Sequence, residues 1–358
     1  MRPFQSMEEG GHEALHLFRD GGCGLRAVIA IHSTLLGPAL GGVRMWPYPD
    51  ESAAVEDALR LARAMTFKAA LAGLDFGGGK AVILGEPHRD RSEALMRAFG
   101  RCVESLGGRY IAAEDVGTGP EDMAWIAAET RHVTGLPPER GGSGDPSPVT
   151  ALGVLHGIRA CLRHRLGHER VGLVRYALQG LGHVGWALAH LLRAEGATVV
   201  ATDLDRARLE RATAELGVIP AEPDEILDTD AEVFVPCALG GVLDEAAAGR
   251  LRAVIVAGSA NNPLADDAVA ELLARRGILY APDYAINAGG LIHVAVALAG
   301  GRPEHARARA AAIGDTLDRI FRLAAREGIT PLAAAHRLAA ARLEAIARIA
   351  PRRPPVAA

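Results

Sequence analysis

Three short stretches of this chain set reactive or ligand-binding residue types at spacings that chemistry uses. GLGHVG at 180–185 is a G-x-G-x-x-G turn, which lets backbone approach a dinucleotide pyrophosphate. FGGGK at 76–80 puts Lys80 behind three glycines. HEALH at 12–16 matches H-E-x-x-H, in which two histidines one helical turn apart hold zinc and the glutamate serves as base. That last chemistry needs a helix. Gly10-Gly11 before it and Asp20-Gly21-Gly22 after it leave only eight residues between, which suits a strand. In a strand Glu13 points away from His12 and His16, and no third ligand follows at the expected spacing. The stretch is therefore read as one arm of a β-hairpin with LRAVIAIH, and no metal site is expected.

The lysines carry a second signal. Of 39 basic residues only two are lysine, Lys68 and Lys80, and only three residues are asparagine, Asn261, Asn262 and Asn287. A GC-rich genome or a thermophile's avoidance of thermolabile amides removes such residues wherever others serve. The five that remain are candidates for work that Arg, Asp or Ser cannot do. GGGK is not a nucleotide-phosphate loop, because Leu74 stands where its first glycine belongs and Ala81 where Ser or Thr does. Three glycines can instead keep Lys80 in a tight, poorly hydrated place. Desolvation or a neighbouring cation lowers a lysine pKa, so that it exchanges protons near neutrality, as arginine cannot. Asp115, in AEDVGT, adds a carboxylate for proton transfer.

These residues need elements to position them. ESAAVEDALRLARAMTFKAALAG predicts a helix over about 53–70 that stops at Gly73. FGGGKAVILG reads as a loop entering a strand. SEALMRAFGRCVESLGG is a helix, RYIAAEDVGTG a strand ending at Glu114 and Asp115, and PEDMAWIAAET a short helix begun by Pro120. LPPERGGSGDPSP is the clearest hinge. A helix over about 149–163 follows it. VRYALQG, VGWALAHLLRAEG, ATVVATD and DRARLERATAELG then alternate strand and helix, with further strands at AEVFVPCA, AVIVAGS and GILYAPD. This rhythm predicts an α/β fold with a doubly wound parallel sheet. In that setting the first glycine, Gly180, makes the turn, Gly182 admits the pyrophosphate and Gly185 lets helix pack on strand. Asp203 ends the next strand and suits the ribose hydroxyls, favouring NAD over NADP. Residues from about 304 to 349 read as helical, and PRRPPVAA as a disordered tail.

The remaining composition excludes other classes. The net charge is −4 and no basic stripe appears, so no nucleic-acid partner is expected. No apolar run reaches the length of a membrane span, and MRPFQSMEEGGHE lacks the apolar core of a signal peptide. Cys23, Cys102, Cys161 and Cys237 form no C-x-x-C and read as reduced, in a cytoplasmic protein.

The motifs GPALGGVRMWPY, MTFKAALAGLDFGGGKAVI, AEDVGT, PSPVTA, QGLGHVG, VPCALGGVL, AGSANN and APDYAINAGG occur in order over about 24–290. Together they closely resemble the amino-acid dehydrogenases acting on leucine, valine and phenylalanine, relatives of glutamate dehydrogenase. The resemblance implies NAD-dependent oxidative deamination of an L-amino acid to a 2-oxo acid and ammonia. It implies a substrate and oligomerisation domain at 1–146, with helices 330–358 returning to it, an NAD-binding Rossmann domain at 147–329, and a cleft that closes over substrate. It further implies a homo-oligomer.

It also implies roles for individual residues. Lys68 would hold the substrate carboxylate, Lys80 activate water and Asp115 move protons on the nitrogen. Gly41 and Gly42 would lie by the substrate main chain, and Asn262 would face the substrate. Ser147 and Thr150 would lie near the nicotinamide carboxamide, with Asn261 and Asn287 on the cofactor side. His183, Val184, Cys237, Ala238 and Ala257 join Gly180, Gly182, Gly185 and Asp203 as cofactor-binding residues. The side-chain pocket would be Leu40, Met65, Ala113, Leu291 and Val294, all apolar. A glutamate side chain would be buried there without a partner. Leu291 is larger than the valine expected in leucine enzymes, and LIHVA and RARAAAIGDTLDRIF look more like the phenylalanine enzymes. Branched-chain substrates are expected first, phenylalanine second. A non-catalytic NAD-binding regulator is the reading that needs neither lysine.

Overall fold

Apolar alternation around HEALH builds a hairpin: β1 (Ala14–Asp20) pairs antiparallel with β2 (Leu25–Ser33) through the DGG turn. Ahead of it, Pro3–Gly10 form helix α1, closed by Gly11 at φ 73°, an element not anticipated from the sequence. The computed structural model describes residues 2–238 and 240–349, so the expected tail PRRPPVAA lies outside the described residues. The chain divides into two compact units. The first holds residues up to Gly144, Ala297–Ala299 and the described residues from Ala339 onward; the second holds Asp145–Val296 and Gly300–Leu338.

In the first unit the hairpin is followed by β3 (Ala39–Trp46), α2 (Glu51–Leu71), β4 (Gly77–Leu84), α3 (Pro87–Asp90), α4 (Glu93–Glu104), β5 (Tyr110–Glu114) and α5 (Pro120–Ala127). The strands form one sheet in the order β1-β2-β4-β3-β5, with β3 parallel to both β4 and β5. Period-two alternation divides its residues between two faces. Val28, Ala30 and Val82 pack under α2, with Ala54, Ala58, Leu59 and Ala62 of the helix. Ile29, Ile31, Ala81, Ile83, Val43 and Met45 pack on the other side against Leu95, Phe99, Met123 and Ile126 of α4 and α5. Asp50 and Ser92 cap α2 and α4 by accepting from the amides of Ala53 and Leu95.

The three glycines before Lys80 correct the sequence reading. They are the first residues of strand β4, not a loop before it. Low strand propensity is overridden by close packing on both faces. A methyl group at Gly78 would overlap the Thr66 amide of α2, and one at Gly79 would stand 2.7 Å from the buried Tyr110 ring.

The second unit contains α6 (Ser147–Leu166), β6 (Arg175–Gln179), α7 (His183–Ala194), β7 (Thr198–Thr202), α8 (Arg206–Leu216), β8 (Ile219–Pro220), β9 (Val233–Pro236), α9 (Glu245–Arg250), β10 (Ile255–Val256), α10 (Asp267–Arg275), β11 (Leu279–Tyr280) and α11 (Asp283–Ile286). Helices α12 (Gly289–Leu298), α13 (Pro303–Ala311), α14 (Ile313–Glu327) and α15 (Pro331–Ile349) follow. The strands form a parallel sheet in the order β11-β10-β9-β6-β7-β8. Chain order reverses between β6 and β9. Beyond the carboxyl ends of strands at such a switch point, doubly wound sheets bind dinucleotides.

Candidate functional site

Strand register gathers one group of candidates in the first unit. Leu40 pairs with Gly78 and Ile111, and Gly42 with Ala113. Lys80 pairs with Ala30 on β2. Paired residues in a sheet project to the same side, so Leu40, Gly42, Lys80 and Ala113 all share the face that α2 covers. Asp115 follows β5 by one residue. Its amide donates to the Thr118 hydroxyl at 3.0 Å, and that hydroxyl donates to the Val43 carbonyl at 2.8 Å. The turn in AEDVGT thus aims Asp115 back over β3. A methyl at Gly42 would stand 2.7 Å from the Asp115 Cβ, so glycine makes room for the carboxylate.

Lys80 is 5% exposed, and its Nζ donates to Asp115 Oδ2. The same oxygen accepts from Arg44 Nε at 3.1 Å. Arg44 was not singled out from the sequence, although it stands two residues past Gly42 and therefore on the same face. Its Nη1 donates to Asp57 Oδ2 of α2 at 2.9 Å, which also accepts from the Tyr48 hydroxyl at 2.5 Å. Burial pushes the Lys80 ammonium below the ordinary lysine range; the Asp115 charge opposes this and the Arg44 charge adds to it. Burial alone would raise Asp115, but Lys80 and Arg44 outweigh it and hold the carboxyl below the usual carboxylate range. The result is a lysine made easier to deprotonate beside a carboxylate kept ionised, a pair suited to passing protons.

Lys68 and Met65 lie on α2, both partly buried, and flank Thr66, which packs on Gly78. Gly41 is buried in β3, and its carbonyl accepts from the Tyr110 hydroxyl at 2.7 Å. His12 Nε2 donates to the Leu59 carbonyl at 2.8 Å, while His16 lies within β1.

In the second unit the cofactor candidates collect at the carboxyl ends of the parallel strands. Gly180 follows β6 at φ 95°, a left-handed conformation that glycine adopts without strain. A methyl on Gly185 would overlap the Gly180 carbonyl, whereas one on Gly182 would meet nothing within 4 Å. The open position is the one expected to admit a pyrophosphate, and the closed one holds helix to strand. His183 and Val184 begin α7, whose free N–H groups and dipole favour an anion. Asp203 Oδ2 accepts from the Leu181 amide at 2.6 Å, so the carboxylate also fixes the glycine turn. Cys237 and Ala238 follow β9 and border Gly180. Ala257, just after β10, is fully buried.

Several buried polar atoms in this region have no hydrogen-bond partner among the described residues: Gln179 Oε1 at the end of β6, Thr202 Oγ1 at the end of β7, and Asn287 Oδ1. Such atoms are costly to leave unmatched, and a bound dinucleotide with its amide and hydroxyl donors fits them. Gln179 and Thr202 were missed from the sequence, where each merely precedes a motif residue. Asn287 Nδ2 donates to Asn261 Oδ1 at 2.9 Å. Asn262 is held at φ 48°, with its amide donating to Asp283 Oδ2 at 2.7 Å. Thr150 and Ser147, in the first turns of α6, are buried, and Gly289 packs on the Thr150 backbone. Leu291 and Val294 lie three residues apart on α12, both partly exposed while Ile292 and His293 are buried. Among the described residues, no group of three or more His, Cys, Asp or Glu could hold a metal ion, and no helix is long and apolar enough to cross a membrane.

Known proteins share both halves of this arrangement. A family profile for the Glu/Leu/Phe/Val dehydrogenase dimerisation domain matches residues 15–132, and one for Glutamate/Leucine/Phenylalanine/Valine dehydrogenase matches residues 204–301. Leucine dehydrogenase of Thermoactinomyces intermedius is 47% identical, over 96% of this chain and 94% of its own. Valine dehydrogenase of Streptomyces albus is 48% identical, over 95% of each chain. The crystal structure of L-tryptophan dehydrogenase from Nostoc punctiforme superposes with a TM-score of 0.83 at 41% identity, covering 96% of this chain and 99% of that one.

Proposed function

Because the chain belongs to the glutamate/leucine/phenylalanine/valine dehydrogenase family and is an NAD-dependent amino-acid dehydrogenase, we propose that it oxidatively deaminates branched-chain L-amino acids, leucine or valine first, to the 2-oxo acid and ammonia. The observation that carries the chemistry is the buried Lys80–Asp115 pair, its lysine pKa lowered and its carboxylate kept ionised. When bound, NAD supplies the acceptor for the hydride leaving the substrate Cα. Gly180, Gly182, Gly185, His183, Val184 and Asp203 would hold it, with Cys237, Ala238, Ala257, Asn261, Asn287, Ser147 and Thr150 beside them.

The chain's own residues then handle charge and protons. The Lys68 ammonium pairs with the substrate carboxylate. Asp115 takes a proton from the substrate ammonium, which frees the nitrogen lone pair to form the C=N bond as the hydride departs. Neutral Lys80 takes a proton from water while the water oxygen bonds to the imino carbon, giving a carbinolamine. Asp115 returns its proton to nitrogen, the C–N bond breaks and ammonia leaves. The hydroxyl proton passes back to Asp115 as the carbonyl forms, and Lys80 keeps the proton taken from water. The balance is one amino acid, water and NAD converted to oxo acid, ammonia, NADH and released protons.

Substrate choice is proposed from the apolar set Leu40, Met65, Ala113, Leu291 and Val294, which offers no partner to a charged side chain. The likeness to a tryptophan dehydrogenase favours an aromatic substrate as the second reading. We also propose a homo-oligomer, supported by the dimerisation-domain profile, and a cytoplasmic location, supported by four cysteines that are all free. The test is NADH formation from NAD with L-leucine, L-valine, L-isoleucine, L-phenylalanine, L-tryptophan and L-glutamate, on wild type and Lys80→Ala. Leucine or valine turnover lost in Lys80→Ala is the expected result. Turnover of aromatic substrates alone overturns the branched-chain assignment. NAD binding without any turnover returns the chain to a regulator.

A further inference from the structure

Arg44 reaches two carboxylates with two edges of one guanidinium: Nε donates to Asp115 Oδ2 at 3.1 Å and Nη1 to Asp57 Oδ2 at 2.9 Å. Its side chain is 21% exposed, and those of Asp57 and Asp115 are 14% and 18%. Asp57 is itself held from two further sides, by the Tyr48 hydroxyl at 2.5 Å and by Arg60 Nη2 at 2.6 Å. A chain of charge-assisted hydrogen bonds thus runs from α2 through Arg44 to Asp115 and Lys80. Burying an arginine this far costs solvation, which a bridge between two carboxylates offsets. The second arm falls on the same Asp115 oxygen that Lys80 uses.

We propose that Arg44 is a positioning residue for the proton-transfer pair, bridging Asp115 to Asp57 so that the Asp115 carboxylate stays turned toward Lys80. This rests on the reading that Lys80 and Asp115 carry the chemistry. The charged and titratable groups around the pair include Arg44 on β3, Lys80 on β4, Asp57 and Arg60 on α2, Tyr48 after β3, and Tyr110 on β5. Their signs make two substitutions act in opposite directions. Losing the Arg44 cation lets both Asp115 and Lys80 hold protons more tightly. Losing the Asp57 charge removes an anion that helps Lys80 keep its proton. The acid limb of kcat/KM reports the free enzyme's base, so it moves to higher pH in the first case and lower pH in the second.

The experiment is the pH dependence of kcat/KM for oxidative deamination in wild type, Arg44→Gln, Arg44→Lys and Asp57→Asn, with Lys80→Ala in parallel. Arg44→Gln should lose on the order of 100-fold in kcat, the scale of a misplaced catalytic group, and shift its acid limb upward. Arg44→Lys should bring the limb back toward wild type, because the charge returns. Its kcat should stay low, because one ammonium cannot span both carboxylates. Asp57→Asn should shift the limb downward. Limbs that do not move, or that move together in Arg44→Gln and Asp57→Asn, overturn the proposal, since a purely structural role lowers activity without opposite shifts. If Arg44→Gln fails to fold by circular dichroism, the direction in Asp57→Asn decides. Turnover surviving in Lys80→Ala would instead sink the underlying reading of the pair. A dead Lys80→Ala with unmoved limbs elsewhere removes only the role of Arg44.

Discussion

Gly78→Ala tests whether close packing of α2 on β4 sets the position of the substrate-side residues. Gly78 faces the helix, and an added methyl would overlap the Thr66 amide and lie 2.5 Å from the Ala62 carbonyl oxygen. Ordinary contact begins near 3.4 Å, so helix and strand must part by close to 1 Å. Both colliding groups are backbone, so no side-chain rotation relieves them. Thr66 is fully buried and its hydroxyl is bonded to His32 Nδ1 at 2.8 Å, which resists the shift. Overpacking of this kind costs about 1–3 kcal/mol. The displacement also carries Met65 and Lys68 away from the sheet, and a misplacement of about 1 Å can cost roughly 100-fold in rate. Urea unfolding and steady-state kinetics with leucine give both quantities, and the NAD dissociation constant should not change because that candidate site lies in the other unit. Wild-type stability together with wild-type kcat/KM in Gly78→Ala would refute the reasoning.

The glycine turn at 180–185 predicts a contrast between neighbours. Gly182→Ala, whose methyl meets open space at φ −62°, should fold with wild-type stability yet weaken NAD binding; an unchanged NAD dissociation constant would show that the pyrophosphate does not approach there. Gly185→Ala, whose methyl overlaps the Gly180 carbonyl, should lose about 1–3 kcal/mol of stability, read by urea unfolding. His32 is 8% exposed, and burial pushes it down from 6.5 to about 4. In that window the unfolded chain binds a proton that the folded protein refuses, so stability is full above 6.5 and falls by about 3 kcal/mol as pH drops to 4. His32→Gln should flatten that decline in urea titrations from pH 7 to 4, and parallel curves would remove the assignment.

In the second unit β6, β7, β9, β10 and β11 were legible as short apolar runs, with periodic helices after β6 and β7 and the glycine turn after β6, whereas the two-residue β8 (Ile219–Pro220) carries too little pattern to declare itself. The first unit was less legible. GPALGGVRMW stands out as a motif and not as strand β3, and GGGK reads as a loop. Both strands owe their place to neighbours that only glycine admits, and local propensity does not record a neighbour. The short helix α1 is weak on the same ground, since eight residues carry too little periodicity to declare it. Arg44 was hidden by abundance. With 39 basic residues and two lysines, the chain has 37 arginines, and nothing in the type marks the one that bridges the part-buried carboxylates of Asp57 and Asp115.

Scarcity worked where abundance failed, but the structure divides its meaning. A lysine among arginines is informative because the two cations differ in the property a proton carrier needs. Lys80 can be driven toward its neutral form by burial, and Arg44, one strand away and part-buried, cannot. The asparagines are retained for more than one reason. Asn262 holds a left-handed backbone at φ 48°, where among non-glycine residues Asn and Asp are favoured, so conformation alone would preserve it. Asn287 gives its amide N–H groups to Ser259, Ala260 and Asn261 and keeps an unmatched buried Oδ1, a combination of donor and acceptor that neither Asp nor Ser provides. A depleted residue type therefore marks a place where its chemistry is irreplaceable. Whether that chemistry is turned on the backbone or on a ligand is decided by what surrounds the side chain, and at Lys80 the surroundings are a carboxylate, a second cation and little water.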